Sequence, residues 1–319
     1  MMAGQTEVPW ASQHILITGG SGFIGQHLTR RWLGLGAKVT VLTRRPQKTQ
    51  ALYAGTDGYE RLQVVSALAA IEASERIDWV VNLAGAPILG PRWTAARQQT
   101  LLASRVQSTQ ALTAWLQTRS QLPRLVLSAS AIGYYGIQPA GDMRSLAEDS
   151  PPQPIFMSTL CQRWEAAAQV GARWPVAIFR LGVVLGRQQA LPMMLLPIKL
   201  GLGGRLGQGN QWLSWIHITD VVRAIEWLVQ RHLQGEGISA VYNLTAPQPI
   251  TQLEFAHTAG ALYRRPVWFS TPAWSMRTLL GEQADLLLEG QRVVPQRLLN
   301  QGFVFDYPSL QVALADLQA

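Results

Sequence analysis

Cysteine is almost absent from this chain: of 319 residues, only Cys161 is one. A lone thiol forms no intrachain disulfide. Nor does it build a zinc site with the five histidines (His14, His27, His217, His232, His257), which never recur at metal-ligand spacing. Lysine is nearly as scarce, since Lys38, Lys48 and Lys199 are the only three and 24 of the 27 basic residues are arginine. Charged residues make up 14% against 48% hydrophobic ones, which excludes a disordered chain and demands a large buried core. No apolar run reaches the ~18 residues of a membrane span. The longest candidate, 191–202, is broken by Pro192, Pro197 and Lys199. The start lacks a basic region followed by an apolar one, so no export signal is expected and the expected location is cytoplasmic.

Acidic residues number 19, leaving a net charge of +8. Such a balance raises nucleic acid or an anionic membrane surface as a partner. No lysine-rich run or basic amphipathic helix supports either, and the charge is dispersed. The expected partner is therefore a phosphate-bearing small molecule, with no nucleic acid and no membrane span. One stretch is lopsided: residues 79–141 carry Arg92, Arg97, Arg105, Arg119 and Arg124 and no acid.

After a polar leader (1–13), short β-branched runs alternate with helical periodicity. Strands are expected at 14–18, 38–42, 62–65, 79–83, 125–128 and 176–181, and helices at 23–35, 92–118 and 158–170. This alternation predicts an α/β fold, a doubly wound parallel sheet with helices on both faces. The doubly wound part is expected to span 14–186, completed by parts of 210–245. Residues 187–209 and 246–319 form a smaller, mostly helical substrate lobe. In the segment 210–245, Asp220 is expected to cap a helix. Trp115, Trp164 and Trp227 fit core positions, whereas Trp212 and Trp215 are candidates for lining a pocket.

The strongest motif is the run from Thr18 to Gly25, Thr-Gly-Gly-Ser-Gly-Phe-Ile-Gly. Glycines there permit a sharp turn, close approach of backbone N–H groups to a pyrophosphate, and tight packing of helix on strand. The helix N-terminus adds partial positive charge. Its position after a strand and before a helix is the context that a dinucleotide site needs. Thr18, Gly19, Ser21, Gly22, Phe23, Ile24 and Gly25 are accordingly cofactor-binding candidates. At the end of the second strand an acid would hold a ribose hydroxyl, but Arg44 and Arg45 stand there and no acid follows until Asp57. Guanidinium groups bind phosphate bidentately, so NADP(H) is expected over NAD(H).

Four motifs in order, Thr18 to Gly25, Asn82 to Pro87, Ser128 to Gly136 and Arg180 to Gly186, give the chain a family likeness. It resembles the extended short-chain dehydrogenase/reductases. More narrowly, it resembles their atypical subgroup described as nucleotide-sugar epimerases, whose cyanobacterial and plastid members are labelled cell-division inhibitor-like. Segments 279–295 and 302–308 are similar to that subgroup's C-terminal region. The resemblance implies an oxidoreductase or epimerase-like activity, a cofactor whose adenine-ribose side is flanked by Asn82, Ala84 and Gly85, a small-molecule substrate that is anionic or a sugar nucleotide, and a homodimer formed through the helices near 92–118 and 157–171.

Typical relatives use a Tyr-x-x-x-Lys pair in which the lysine lowers the tyrosine pKa. Alignment on Trp164-Glu165 puts Met157 at the tyrosine position and Cys161 at the lysine position. No other register helps, because no lysine lies between Lys48 and Lys199. Arg105 falls where an asparagine is common, which makes it a candidate both for cofactor contact and for catalysis on an anion; a packing role is the alternative. Ser130 (or Ser128) and Tyr135 (or Tyr134) remain as catalytic candidates, although a tyrosine without a cationic partner is a poor base. Cys161 reads as a small buried packing residue. A second class of function therefore stays open: a catalytically silent, cofactor-binding regulator of division acting through a protein partner.

Overall fold

The computed structural model describes residues 8–139 and 141–318. Seven parallel strands form the central sheet: β1 (His14–Thr18), β2 (Lys38–Leu42), β3 (Leu62–Val65), β4 (Trp79–Asn82), β5 (Leu125–Ala131), β6 (Val176–Leu181) and β7 (Val241–Leu244). Their order is 7-6-5-4-1-2-3. Chain direction across the sheet reverses between β1 and β4, and a doubly wound sheet opens its ligand crevice at the carboxyl ends flanking that point.

Among the described residues, eleven α-helices accompany the sheet: α1 (Phe23–Gly34), α2 (Pro46–Leu52), α3 (Ala95–Gln117), α4 (Phe156–Gln169), α5 (Ala190–Lys199), α6 (Ile218–Leu233), α7 (Gln252–Tyr263), α8 (Ala273–Leu280), α9 (Asp285–Leu288), α10 (Gln296–Asn300) and α11 (Leu310–Gln318). Side chains of β1 divide between two layers. Ile15 and Ile17 join Leu28, Trp32 and the α6 residues Ile225 and Leu228, while Leu16 meets Leu112 and Leu116 of α3. Burial on both faces explains the near-continuous apolar character of these strands.

Several boundaries differ from expectation for identifiable reasons. Pro46 does not merely end β2; it occupies the first turn of α2, where its missing N–H costs nothing. Helix α3 starts later than position 92 because the Thr94 hydroxyl accepts from Arg97 N at 3.2 Å and caps it. Helix α6 is capped by His217, whose Nδ1 accepts from Thr219 N at 3.2 Å, rather than by Asp220. Asp220 is instead fully buried and accepts from the backbone N–H groups of Asp306 and Tyr307, tying the C-terminal segment to α6.

Residues 1–7 of the predicted leader lie outside the described residues. The rest of it is anchored: Trp10 stacks on Trp32 with centroids 5.6 Å apart, and Gln13 accepts from Trp79 Nε1 at 2.9 Å. The lobe has its own core of Leu191, Leu195, Ile198, Phe255, Leu310 and Leu314. Trp215 is buried in that core, whereas Trp212 is half-buried and donates to Asp142 O at 3.0 Å. Leu298, Phe303 and Phe305 pack into the main core, so they belong physically to the body built around the central sheet.

Candidate active site

The glycine-rich turn joins β1 to α1 with the backbone geometry that its composition demands. Gly19 has φ +71°, and a Cβ there would lie 2.7 Å from Leu83 O; at Gly25 it would lie 2.5 Å from Gly19 O. Gly22 donates to Gly19 O at 2.9 Å and precedes α1 with no side chain capping the helix. The first N–H groups of α1 therefore lack side-chain acceptors, beside the exposed Ser21 and the half-exposed Phe23 and Ile24. Such a cradle suits an anion.

Arg44 and Arg45 follow β2 immediately, one strand away from this turn. Both are exposed, and neither guanidinium enters an ion pair or hydrogen bond among the described residues; the Arg45 backbone N–H donates to the Thr43 hydroxyl at 3.3 Å. Lys48 is exposed one turn into α2. The sequence places three cations here, and no carboxylate pairs with them.

Thr18 and Asn82 sit differently from the expectation that they contact cofactor. Both side chains are buried. Thr18 Oγ1 donates to Asn82 Oδ1 at 2.7 Å and accepts from Ala84 N at 3.2 Å. Asn82 Nδ2 donates to Thr109 and Ser128 at 2.8 and 3.0 Å. Their hydrogen-bonding capacity goes into joining the ends of β1, β4 and β5 to α3, which sets the shape of the turn at Ala84 and Gly85. Ser128, the alternative to Ser130, is consumed in the same knot.

Gly85 faces Arg105. A Cβ on Gly85 would lie 3.1 Å from the guanidinium carbon, so a side chain there would press the group aside by a few tenths of an ångström. Arg105 donates to Ala86 O at 3.0 Å and Leu101 O at 3.2 Å, and its guanidinium lies 5.2 Å from the Trp164 ring centre. Neutral carbonyls hold the group in place without cancelling its charge, and no carboxylate among the described residues pairs with it. Burial pulls its pKa below the ordinary arginine value, with the Cys161 thiolate opposing and Arg97 assisting.

Met157 and Cys161 lie on α4 beneath the turn at Gly133: a Cβ on Gly133 would be 3.1 Å from Met157 Cε and 3.8 Å from Cys161 Sγ. Cys161 is fully buried, and burial, followed by the Glu165 charge, pushes its thiol up to about 12. It is inert at neutral pH, as expected of a packing residue.

Ser130 and Tyr135 are buried in a polar network that sequence reasoning missed. Ser130 Oγ donates to Glu165 Oε1 at 2.6 Å. Arg180 donates to both oxygens of Glu165 at 2.8 Å, and to the Tyr135 hydroxyl at 3.0 Å. Tyr135 in turn donates to Asn243 Oδ1 at 2.7 Å, and burial pushes its pKa up to about 12. The Tyr134 ring lies over Arg180, 3.3 Å from guanidinium to centroid. A signal for this network was present: Arg180 is the one charged residue in the strand Val-Ala-Ile-Phe-Arg-Leu, and a buried strand carries a charge only with a partner.

The profile of the NAD dependent epimerase/dehydratase family matches residues 15–244, and that of DUF1731, a domain of unknown function, matches 271–317. The chain belongs to the NAD dependent epimerase/dehydratase family. Among family relatives, the epimerase family protein YfhF of Bacillus subtilis (strain 168) is 36% identical over 96% of this chain and 98% of its own. The epimerase family protein MW0731 of Staphylococcus aureus (strain MW2) is 37% identical over 95% of this chain and 98% of its own. The crystal structure of human epimerase family protein SDR39U1 with NADPH superposes with a TM-score of 0.83 at 34% identity, covering 96% of this chain and 99% of that one. MoeE5 in complex with UDP-glucose and NAD gives 0.69 at 25% identity, over 95% and 97%. The family membership, the Rossmann-like sheet and the separate C-terminal region thus agree with the motif order read from sequence.

Proposed function

We propose that the protein binds NADP(H) at the carboxyl ends of β1, β2 and β4 and acts as an atypical oxidoreductase on an anionic small molecule, a sugar nucleotide included. The observation that carries the cofactor reading is the pairing of an uncapped glycine-rich helix start with two exposed, unpaired arginines at the end of β2. Backbone N–H groups of Phe23, Ile24 and Gly25 would hold the pyrophosphate, Arg44 and Arg45 the 2′-phosphate, and Ala84 and Gly85 the ribose side. The NADPH in the SDR39U1 structure supports this choice over NAD(H).

When bound, NADP(H) supplies a hydride donor or acceptor. The chain's own contribution at the reacting end is electrostatic. Met157 and Cys161 cannot move a proton at neutral pH, and Ser130 and Tyr135 are engaged in the Glu165–Arg180 network as structural groups. Arg105 remains, a half-buried cation on α3 near enough for its charge to act on Cys161, the position a lysine usually fills. It would hold the anionic group of the substrate and stabilise negative charge developing on a neighbouring oxygen.

The test is NADPH oxidation and NADP⁺ reduction over a panel of aldehydes, oxo acids and sugar nucleotides, with binding of NADPH and NADH titrated separately. Equal affinity for the two cofactors would sink the arginine assignment. Tight NADPH binding with no turnover on any substrate would favour the second reading, which the residues at 157 and 161 support: a cofactor-responsive regulator, for instance of division, acting through a protein partner. Light scattering tests the homodimer proposed through α3 and α4.

A further inference from the structure

Helix α5 is apolar on both its buried and its exposed side, with Lys199 at its last position as its one charge. Leu191, Leu195 and Ile198 fill the lobe core, and Met193, Leu196 and Leu200, spaced three and four residues apart, point outward with exposures of 65%, 57% and 64%. A surface helix ordinarily turns polar residues to solvent, so the bare face signals a covering surface. Its neighbours extend the patch. Strand Gly204–Leu206 pairs with Phe269–Thr271, and Phe269 N donates to Gly203 O, which sets Leu202 beside Trp268 and Phe269. Trp268 is 74% exposed.

Charge on this face has one sign. No aspartate or glutamate occurs in 187–219 or in 255–281. Lys199, Arg205, Arg264 and Arg265 are exposed, and none joins an ion pair among the described residues; Lys199 lies 4.8 Å over the Tyr263 ring and Arg205 donates to Ser270 at 3.0 Å. No single run of sequence shows this, because the cations and the apolar residues come from two segments some 60 positions apart that meet only in the fold.

We propose that this face of the lobe docks on the surface of an anionic lipid bilayer. Exposed tryptophan and leucine interleaved with lysine and arginine match the two layers of a membrane interface, apolar groups entering the acyl boundary and cations meeting phosphate headgroups. A second copy of the chain fits poorly, since a two-fold contact through this face would set four cations against four with no acid between them. Among the described residues no helix is long and apolar enough to cross a membrane, so the association is peripheral. The inference is independent of the cofactor reading.

The experiment is co-sedimentation of the full chain with phosphatidylcholine vesicles, with and without about one-third phosphatidylglycerol. Binding to the anionic vesicles only, falling as salt rises from about 0.1 to about 0.5 M, is expected. Arg264→Ala/Arg265→Ala should weaken partitioning on the order of 25-fold, the equivalent of ~1 kcal/mol for each cation near an anionic surface. Leu196→Glu/Leu200→Glu should abolish it, with an unchanged melting temperature in both variants as the fold control. Equal or absent binding to the two vesicles, or binding that neither pair of substitutions alters, would overturn the proposal. So would self-association in light scattering that Leu196→Glu/Leu200→Glu removes, which would assign the face to a second copy.

Discussion

Arg180 donates to both carboxylate oxygens of Glu165 at 2.8 Å, across two elements, β6 and α4, and both side chains are buried. Burial opposes the Arg180 charge, but hydrogen bonds and the charge of Glu165 outweigh it and drive the guanidinium pKa above its usual value. Two charges taken out of water depend on each other for solvation. Glu165→Ala leaves Arg180 uncompensated and should cost about 3–5 kcal/mol, read as a lowered urea midpoint. Glu165→Gln should fall between that variant and the parent, since it keeps a hydrogen-bond acceptor while losing the charge.

The same pair engages Ser130 and Tyr135 in hydrogen bonds, through Glu165 Oε1 and Arg180 Nη1. Ser130→Ala removes one hydrogen bond to a carboxylate and should cost about 1.5–3 kcal/mol. Tyr135→Phe leaves Asn243 Oδ1 without its donor and should cost about 1–3 kcal/mol. NADPH affinity should hold in both variants, as should any turnover. A thousandfold loss of turnover in either, with unfolding curves unchanged, would show that the residue is chemical after all.

How far this was legible in the sequence follows from where each signal lies. The dinucleotide turn is local: eight consecutive residues between a strand and a helix carry its whole geometry, so Gly19 and Gly25 could be read directly. The placement of Arg44 and Arg45 near the turn was legible because a parallel sheet brings the end of β2 beside the end of β1. Thr18 and Asn82 misled, since a polar residue at a strand end can face a ligand or bond the next strand, and only the fold decides; Ser128 and Thr109 supplied the second choice. Glu165, Arg180 and Asn243 were missed as partners because their contacts link α4, β6 and β7, with separations that no spacing rule reports.

Arg44→Ala/Arg45→Ala should weaken NADPH binding by roughly 1.5–3 kcal/mol and leave NADH binding unchanged, because only the 2′-phosphate loses its charged donors. Isothermal titration with both cofactors measures the difference. A parallel loss for NADH would place these side chains elsewhere on the cofactor.

Gly19→Ala combines a positive φ with a Cβ 2.7 Å from Leu83 O, and both must be relieved by moving the turn. The cradle N–H groups move with it. Loss of NADPH binding by at least tenfold is expected, with a stability cost of about 1 kcal/mol or more. Retained binding would mean that the pyrophosphate does not use this turn.

Arg105→Ala separates binding from chemistry. Cofactor affinity should change little, while turnover on an anionic substrate should fall by about 10²–10³, the magnitude of losing one preorganised donor to developing charge. Arg105→Lys should recover only part of that loss, since an ammonium cannot span two oxygens as a guanidinium does. A proportional loss of NADPH affinity in both variants would restrict Arg105 to the cofactor.

Cys161 gives a pH dependence whose sign follows from its burial. Its thiol is pushed up from 9.0 to about 12 in the folded protein, by burial first and the Glu165 charge second. A group whose folded pKa is raised contributes stability that is fully present below the unfolded value and is lost as pH climbs through the folded one. The window therefore runs from about pH 9 toward 12, and Tyr135, raised to about 12, adds to it. Comparison with Cys161→Ala isolates the thiol: the stability difference between parent and variant should stay constant below pH 9 and shrink above it in urea titrations. Iodoacetamide should leave Cys161 unmodified at pH 8 until the chain unfolds. Rapid alkylation of the folded protein would mean an accessible, depressed thiolate, and would reopen position 161 as a nucleophile.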